Sequence, residues 1–190
     1  ANHVVFDPTR RHLAGNQFVI RVERTSGRHW LWSTRFNSQS PGFETNDIGR
    51  VRLADGIQWN TSIKYRETEP GKVFRAYSIG GRTLAEWNYG GDRQIDSYTL
   101  DGTVTWLNFW TNEVSLRIDR RTQDFGLTRG GTSMQQPKRW EVDLELRNNP
   151  ADRTRWSTHI SYGRNEDGGL ELSLDASVAV RPQPRWELSI

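Results

Sequence analysis

The sequence predicts an all-β fold, an antiparallel meander of about ten strands. The first observation is a strict period of two over residues 170–180, where Leu, Ala and Val alternate with Glu, Ser and Asp. Such a period places the apolar side chains on one face of a strand and the polar side chains on the other. The second observation is that the same alternation returns over 57–66, 114–119 and 140–146, while no segment shows helical spacing.

The third observation is the position of proline and glycine, which separate the alternating segments. Proline cannot donate a hydrogen bond to a sheet ladder, so all seven prolines are interpreted as lying between strands. With the glycine pairs at 90–91, 130–131 and 168–169 they divide the chain in order. The predicted strands are 17–24, 29–37, 56–67, 72–80, 82–89, 94–109, 113–121, 139–147, 155–163, 169–181 and 185–190.

Short turn sequences join most of these strands. They are Thr25-Ser26-Gly27, Glu69-Pro70-Gly71, Asn148 to Asp152, Asn165 to Gly169 and Arg181 to Pro184. Turns this short favour antiparallel pairing of consecutive strands. Only two connections are long, 38–55 and 122–138. Short turns alternating with long loops are typical of an outer-membrane β-barrel.

Strand length and aromatic placement also favour a membrane barrel. Several predicted strands have ten residues or more, beyond the ~5–6 of soluble sheets and close to the 9–11 that cross a bilayer. Trp140, Trp156 and Trp186 open apolar stripes, as interfacial aromatics do. We therefore expect residues 1–190 to form a single β-barrel domain or a segment of a larger barrel. A soluble β-sandwich, whose apolar face is a core, is the alternative.

Composition excludes several classes of function. The chain of 190 residues has no cysteine, so disulfides, zinc-thiolate sites and thiol nucleophiles are excluded. Its 26 Lys and Arg are mixed with 23 Asp and Glu, without the basic block of a nucleic-acid-binding protein, and no nucleic-acid partner is predicted. The first residues lack a signal peptide and an initiator Met, so we expect a processed chain or a piece of a longer one.

Six short motifs occur in one order along the chain. They are Ser-Pro-Gly-Phe-Glu-Thr-Asn-Asp-Ile-Gly at 40–49, Phe74-Arg75, Gly91-Asp92-Arg93, Leu127-Thr128-Arg129-Gly130-Gly131 with Met134 and Pro137, Tyr162-Gly163-Arg164 and Arg185-Trp186-Glu187-Leu188-Ser189. In this order they resemble the DUF5916 family of bacterial proteins, over roughly residues 28–190. The resemblance implies a C-terminal outer-membrane β-barrel region, in a family whose longer members carry an N-terminal domain similar to family 9 carbohydrate-binding modules.

The resemblance sets the functional expectation. We expect a barrel protein of the bacterial outer membrane, structural or channel-forming, with a link to the handling of extracellular polysaccharide. Its expected partners are the lipid bilayer, further strands of the same or another chain, and glycan. A soluble carbohydrate-binding β-sandwich that uses Trp platforms is the alternative function. Because the last strand ends within its apolar pattern, we also expect either terminal strands that pair with another segment or chain, or an open sheet.

Two groups of residues are candidates for contact with a ligand or partner. The first lies in the long connections and contains Phe43, Glu44, Asp47, Arg129 and Met134, because loops on a rigid scaffold carry most recognition. The second contains three tryptophans that are either a platform for sugar rings or part of an interface girdle. These are Trp30, Trp32 and Trp59.

No catalytic residue, cofactor or metal is predicted. Glu141, Asp143 and Glu145 share one strand face, but such acidic alternation is expected on any solvated or lumen-facing surface. The four histidines do not occur at metal-ligand spacing. The chain is therefore interpreted as non-enzymatic.

Overall fold

A computed structural model describes residues 8–9, 11–43, 55–124, 132–183 and 186–189. These residues contain strands and turns but no helix. The strands are β1 (Gln17–Arg24), β2 (Trp30–Gln39), β3 (Gly56–Glu67), β4 (Phe74–Trp87), β5 (Arg93–Trp106), β6 (Thr111–Asp119), β7 (Thr122–Asp124), β8 (Met134–Gln136), β9 (Arg139–Arg147), β10 (Thr154–Asn165), β11 (Leu170–Gln183) and β12 (Trp186–Ser189).

Ten of these strands form one antiparallel sheet, in the order β1-β2-β3-β4-β5-β6-β9-β10-β11-β12. The short strands β7 and β8 pair only with each other, as a hairpin inserted between β6 and β9. The predicted all-β antiparallel meander of about ten strands is confirmed. Within the described residues β1 and β12 are the two edges and do not pair with each other, so the sheet is open, as expected.

One predicted strand boundary is wrong. The sequence predicts two strands, 72–80 and 82–89, but residues 74–87 form the single strand β4, which contains Gly80 and Gly81. Neither glycine has a positive φ, and both pair in register with β3 and β5. A Cβ at Gly80 would lie 3.0 Å from Asp101 Oδ2. The glycine therefore makes room for a neighbouring carboxylate and does not end the strand.

Two further boundaries differ from the prediction. The predicted strand 94–109 ends at Trp106, where a tight turn over 107–110 leads into β6 and the Trp106 N–H donates to the Trp110 carbonyl (2.9 Å). This turn contains no glycine or proline; Asn108 Oδ1 accepts the Trp110 N–H (3.1 Å), and Phe109 has a φ of 66°. Pro182 lies within β11, at the register shift opposite β12, where proline is tolerated.

Burial in the sheet is inverted relative to a water-soluble protein. No apolar side chain among the described residues is buried. The buried side chains are instead polar or charged, namely those of Asn88, Asp96, Ser97, Thr111, Asn148 and Ser161. The described part of the chain therefore has no hydrophobic core, and its apolar side chains require another apolar environment.

Candidate functional site

The candidate site is the apolar face of the sheet, on which side chains continue from strand to strand. The backbone register aligns Leu100 of β5, Leu116 of β6, Val142 of β9, Tyr162 of β10 and Leu172 of β11 in one row. Leu100 is 60% exposed and Leu172 is 68% exposed. Monomeric soluble proteins rarely leave so continuous an apolar surface uncovered.

The two ends of the sheet carry different connections. At one end, here called the short-turn end, the strands are joined by the segments 25–29, 68–73, 107–110 and 148–153. The other end, called the long-loop end, carries both long connections, 40–55 and 120–138. The two short turns 88–92 and 166–169 also lie there.

Aromatic rings line the apolar face at the short-turn end. The centroid distances are 5.1 Å for Trp30–Tyr65, 6.1 Å for Tyr65–Tyr77, 6.1 Å for Phe74–Tyr77, 5.1 Å for Phe74–Trp106 and 5.2 Å for Trp110–Trp156. Trp106 and Trp110 flank the same turn. The row therefore extends from β2 to β10 along one border of the apolar face.

Aromatic residues also border the long-loop end. The ring centroids of Phe18 and Phe36 are 6.4 Å apart, and those of Trp140 and Tyr162 are 5.5 Å apart. Trp59 lies opposite Phe36 in the β2–β3 register. The apolar face thus has an aromatic border at each end.

The spacing between the two borders can be judged on β5. This strand carries Tyr98 towards the long-loop end and Trp106 at the short-turn end, with Leu100 and Val104 between them on the same face. Eight residues of strand span about 27 Å along the strand, which is about 20 Å along the membrane normal at a barrel tilt of about 40°. The apolar band of a transmembrane barrel is about 25 Å tall and is bounded by aromatic girdles. The pattern on this face is similar to such a band in composition and in order of size.

The three candidate tryptophans all lie on the apolar face. Trp30 and Trp32 pair with Tyr65 and Ile63, and Trp30 belongs to the short-turn border. Trp59 lies near the long-loop end.

A pair of threonines separates these tryptophans. Thr34 and Thr61 face each other between Trp32 and Trp59 in the β2–β3 register. The Trp59 Nε1–H is within 3.0 Å of both threonine hydroxyls and donates to them. The structure therefore places the three rings on one face without joining them into one continuous platform.

The loop candidates are only partly described. Glu44, Asp47 and Arg129 lie outside the described residues. Phe43 is half-buried where the first long connection leaves β2, and its N–H donates to the Ser40 carbonyl (3.0 Å). Met134 opens β8 and is 50% exposed. Both described candidates belong to connections of the long-loop end.

The polar face carries a network of ion pairs across β6 and β9. Arg117 Nε and Arg139 Nε donate to the two carboxylate oxygens of Asp119, at 3.0 and 2.8 Å. Arg139 also lies 3.5 Å from Glu141, which accepts a hydrogen bond from the Ser161 hydroxyl (3.2 Å). In the register, Asp119 faces Arg139 and Arg117 faces Glu141, so each cation lies opposite an anion.

A second set of ion pairs continues this network. Arg147 bonds both Glu113 and Glu145, which lie directly opposite each other on β6 and β9. At the β12 edge of the sheet, Arg155 and Arg181 both bond Glu187, at 2.6 and 2.5 Å. Arg147 thereby neutralises two facing carboxylates that would otherwise repel each other.

The carboxylates considered for catalysis belong to this face. Glu141 and Glu145 are bonded to arginines, and Asp143 lies 3.7 Å from His159. Within the part of the chain that the structure describes, no cluster of His, Asp or Glu has the arrangement to hold a metal ion. No described helix is long and apolar enough to span a membrane.

Sequence reasoning missed part of the short-turn border, namely Tyr65, Phe74 and Tyr77. Each lies near a strand end, on either side of the turn Glu69-Pro70-Gly71. Aromatic residues on both sides of a short turn were therefore the available signal. Their contact depends on the β3–β4 register, which is a non-local property.

Glu166 anchors the second long connection to the turn between β10 and β11. Its carboxylate accepts hydrogen bonds from Arg121 Nε and Nη2, at 2.6 and 2.7 Å, and from the Lys138 N–H (2.8 Å). The Arg121 hydrogen bonds, followed by the Lys138 amide, lower the pKa of Glu166 to about 2. Both ends of the 120–138 connection are thereby held at the long-loop end.

We predict that this anchor is lost in acid. Because the pKa of Glu166 is lowered from 4.5 to about 2, the stabilisation is complete above pH 4.5 and is lost as the pH falls through 2. Hydrogen exchange at the Lys138 amide, corrected for its intrinsic rate, should accelerate over that range. Glu166→Gln should show fast exchange already at pH 7, whereas Asp167→Asn should behave as the wild type. Unchanged exchange in Glu166→Gln would contradict the assignment.

The described residues thus belong to a structural class of all-β proteins. They form an open antiparallel meander whose apolar face is uncovered and bordered by aromatic rows. The chain belongs to the family described as the domain of unknown function DUF5916, whose model matches residues 3–189. The resemblance inferred from the six motifs is thus confirmed. Neither a curated protein nor a solved structure matches the chain significantly.

Proposed function

We propose that this chain forms part of the wall of a transmembrane β-barrel in the bacterial outer membrane, with a structural or channel role. The observation that carries the proposal is the uncovered apolar face bordered by two aromatic rows. Lipid tails satisfy the aliphatic side chains between the rows, and the aromatic rings suit the two interfaces.

The polar face supports the same proposal. A transmembrane barrel encloses a polar interior, where charges of both signs pair across strands. The network around Asp119 and Arg139 is an arrangement of this kind. A soluble β-sandwich needs a second sheet over its apolar face. Among the described residues only the short β7–β8 hairpin lies outside the main sheet, and each of its strands has three residues.

The open edges favour a larger assembly. An unpaired strand edge is a template for further strands, and a barrel removes all of its edges by closure. We propose that β1 and β12 pair with further strands of the same or another chain. In outer-membrane barrels short turns face the periplasm and longer loops face the outside. The long-loop end, with Phe43 and Met134, is then the outer surface and the place for a contact with polysaccharide.

We further propose that the chain has no catalytic site of its own. Two of the three carboxylates considered above are occupied by arginines, as in a structural ion network. Glycoside hydrolysis requires an acid and a base on either side of a scissile bond, and here the carboxylates alternate along one strand.

Membrane extraction tests the proposal. The protein should sediment with bacterial outer membranes, resist extraction by alkaline carbonate and concentrated urea, and dissolve in detergent. The physical reason is that an uncovered apolar face loses hydrophobic stabilisation when it leaves lipid. Release by carbonate as a monodisperse species in plain buffer would contradict the membrane proposal and favour the soluble sandwich.

A further inference from the structure

We propose that the polar face carries an anion-binding site between β2 and β4, which recognises an oxyanion group of a solute in the barrel interior. The site would take a carboxylate, phosphate or sulfate, through Arg35, Lys64 and Arg82. This inference rests on the proposed function, because it requires the polar face to line a water-filled interior.

Charge is distributed unevenly along the polar face. On β1 to β4 the cations outnumber the anions; the register places Arg21, Glu23, Arg35, Lys64, Arg66, Arg82 and Glu86 there. On β5 to β12 the anions outnumber the cations, and the acidic residues are Asp101, Glu113, Asp119, Glu141, Asp143, Glu145, Glu171, Asp175 and Glu187. The first four strands thus form a cationic part of the wall.

Three of these cations make no ion pair within the described residues, and one of them, Arg66, is half-buried and donates a hydrogen bond to the Gly27 carbonyl (3.2 Å). The other two, Arg35 and Arg82, are exposed. Arg21 lies directly opposite Arg35 in the β1–β2 register, and Arg21 has a partner, Glu23, on its own strand. Like charges directly opposite each other destabilise a sheet. An anion bound beside Arg35 would remove this repulsion.

Lys64 and Arg82 line a concavity on this part of the face, and Arg35 lies next to it, opposite the lining residue Asn60 in the β2–β3 register. Its volume is about 620 Å³, and its polar lining includes Ser33, Asn60, Ser62, Lys64 and Arg82. Guanidinium, ammonium, amide and hydroxyl groups are the donors that recognise oxyanions.

The structure also explains the depth of this concavity. Gly80 is buried between Lys64 of β3 and Asp101 of β5, and it contributes no side chain to fill the space. Two carboxylates line the site as well, but each lies near a cation. Glu23 bonds Arg21, and Asp101 Oδ2 is 4.0 Å from Lys64 Nζ. The positive charge of Arg82 is left for a ligand.

Conductance of the full-length protein in planar lipid bilayers tests the inference. The site variant is Arg35→Gln with Arg82→Gln, and inorganic tripolyphosphate is the blocking probe. The chloride-to-potassium permeability ratio, from the reversal potential in a KCl gradient, should fall by about threefold, and block should weaken by about tenfold. The matched control is Lys72→Gln with Arg153→Gln, which removes the same charge from exposed turns at the short-turn end. The control should conduct and be blocked as the wild type.

The outcomes separate this inference from the proposed function. Equal changes in the two double variants, or no change in either, would overturn the anion site. A wild-type protein that is folded in the membrane but passes no ions would also overturn it, while leaving the barrel wall intact. A protein that carbonate strips from the membrane would overturn both.

Discussion

Leu174→Arg should destabilise the membrane-embedded protein by about 2–4 kcal/mol, the cost of a charge near the bilayer midplane on the lipid face of a barrel. Leu174 lies in the middle of β11, opposite Ile160 of β10, and is 69% exposed. Its neighbours on the same strand face, Leu172 and Ala176, are also apolar. The residues next to it on that face, on β11 and across on β10, include no carboxylate with which an arginine could pair.

The matched control is Ser173→Arg, one residue away. Ser173 lies on the polar face opposite Ser161, so its side chain would enter the interior. We expect a change within about 0.5 kcal/mol, as for a solvated position. Urea unfolding of the protein in lipid vesicles measures both variants. Equal penalties would indicate that both faces are buried in protein, and a neutral Leu174→Arg would indicate that the apolar face is in water.

The faces of the strands were predictable because they depend on local alternation. In β11 the period of two assigns every second residue from Leu170 to Val180, all of them apolar, to one face. In the structure these residues pair with every second residue of β10 and therefore share a face. The hairpin turns at Glu69-Pro70-Gly71 and over 148–153 were predictable for the same reason, since turn residues act through their own backbone.

Features that depend on neighbouring strands were not predictable in this way. Gly80 and Gly81 lie at the predicted break between two strands, but the space they provide is used by Asp101 and Leu100 of β5. The sequence alone does not show which strand supplies such a neighbour. A glycine pair within an alternating segment is therefore ambiguous between a turn and a close approach.

The candidate site shows the same limit. Trp30 and Trp32 were predictable as neighbours on one face, because they lie two residues apart on one strand, whereas the position of Trp59 on the same face follows from the β2–β3 register. Their division between the two aromatic borders depends on the antiparallel direction of β2 and β3 and on the Thr34–Thr61 pair between them. The ion pairs between β6 and β9 likewise follow from the register of these two strands. That register is not local, because β7 and β8 lie between the two strands in the sequence.

Arg139→Met should destabilise the protein by about 1–2 kcal/mol, less than a lipid-facing charge, because the residues involved are partly solvated. Arg139 Nε donates to Asp119 Oδ2 at 2.8 Å, and the Asp119 side chain is only 19% exposed. Without Arg139, Asp119 retains Arg117, and Glu141 retains the Ser161 hydroxyl. The loss is therefore that of a charge-assisted hydrogen bond and not of a fully unpaired charge.

A double-mutant cycle separates this pair from general disruption of β9. Asp119→Asn removes the negative charge that Arg139 neutralises, so Arg139→Met with Asp119→Asn should be less destabilised than the sum of the two single variants. Urea unfolding in the same vesicles gives all four free energies. Additive single effects would show that the two side chains do not interact in the membrane. A coupling of about 1 kcal/mol would place both in a partly shielded interior, because a fully exposed pair contributes less.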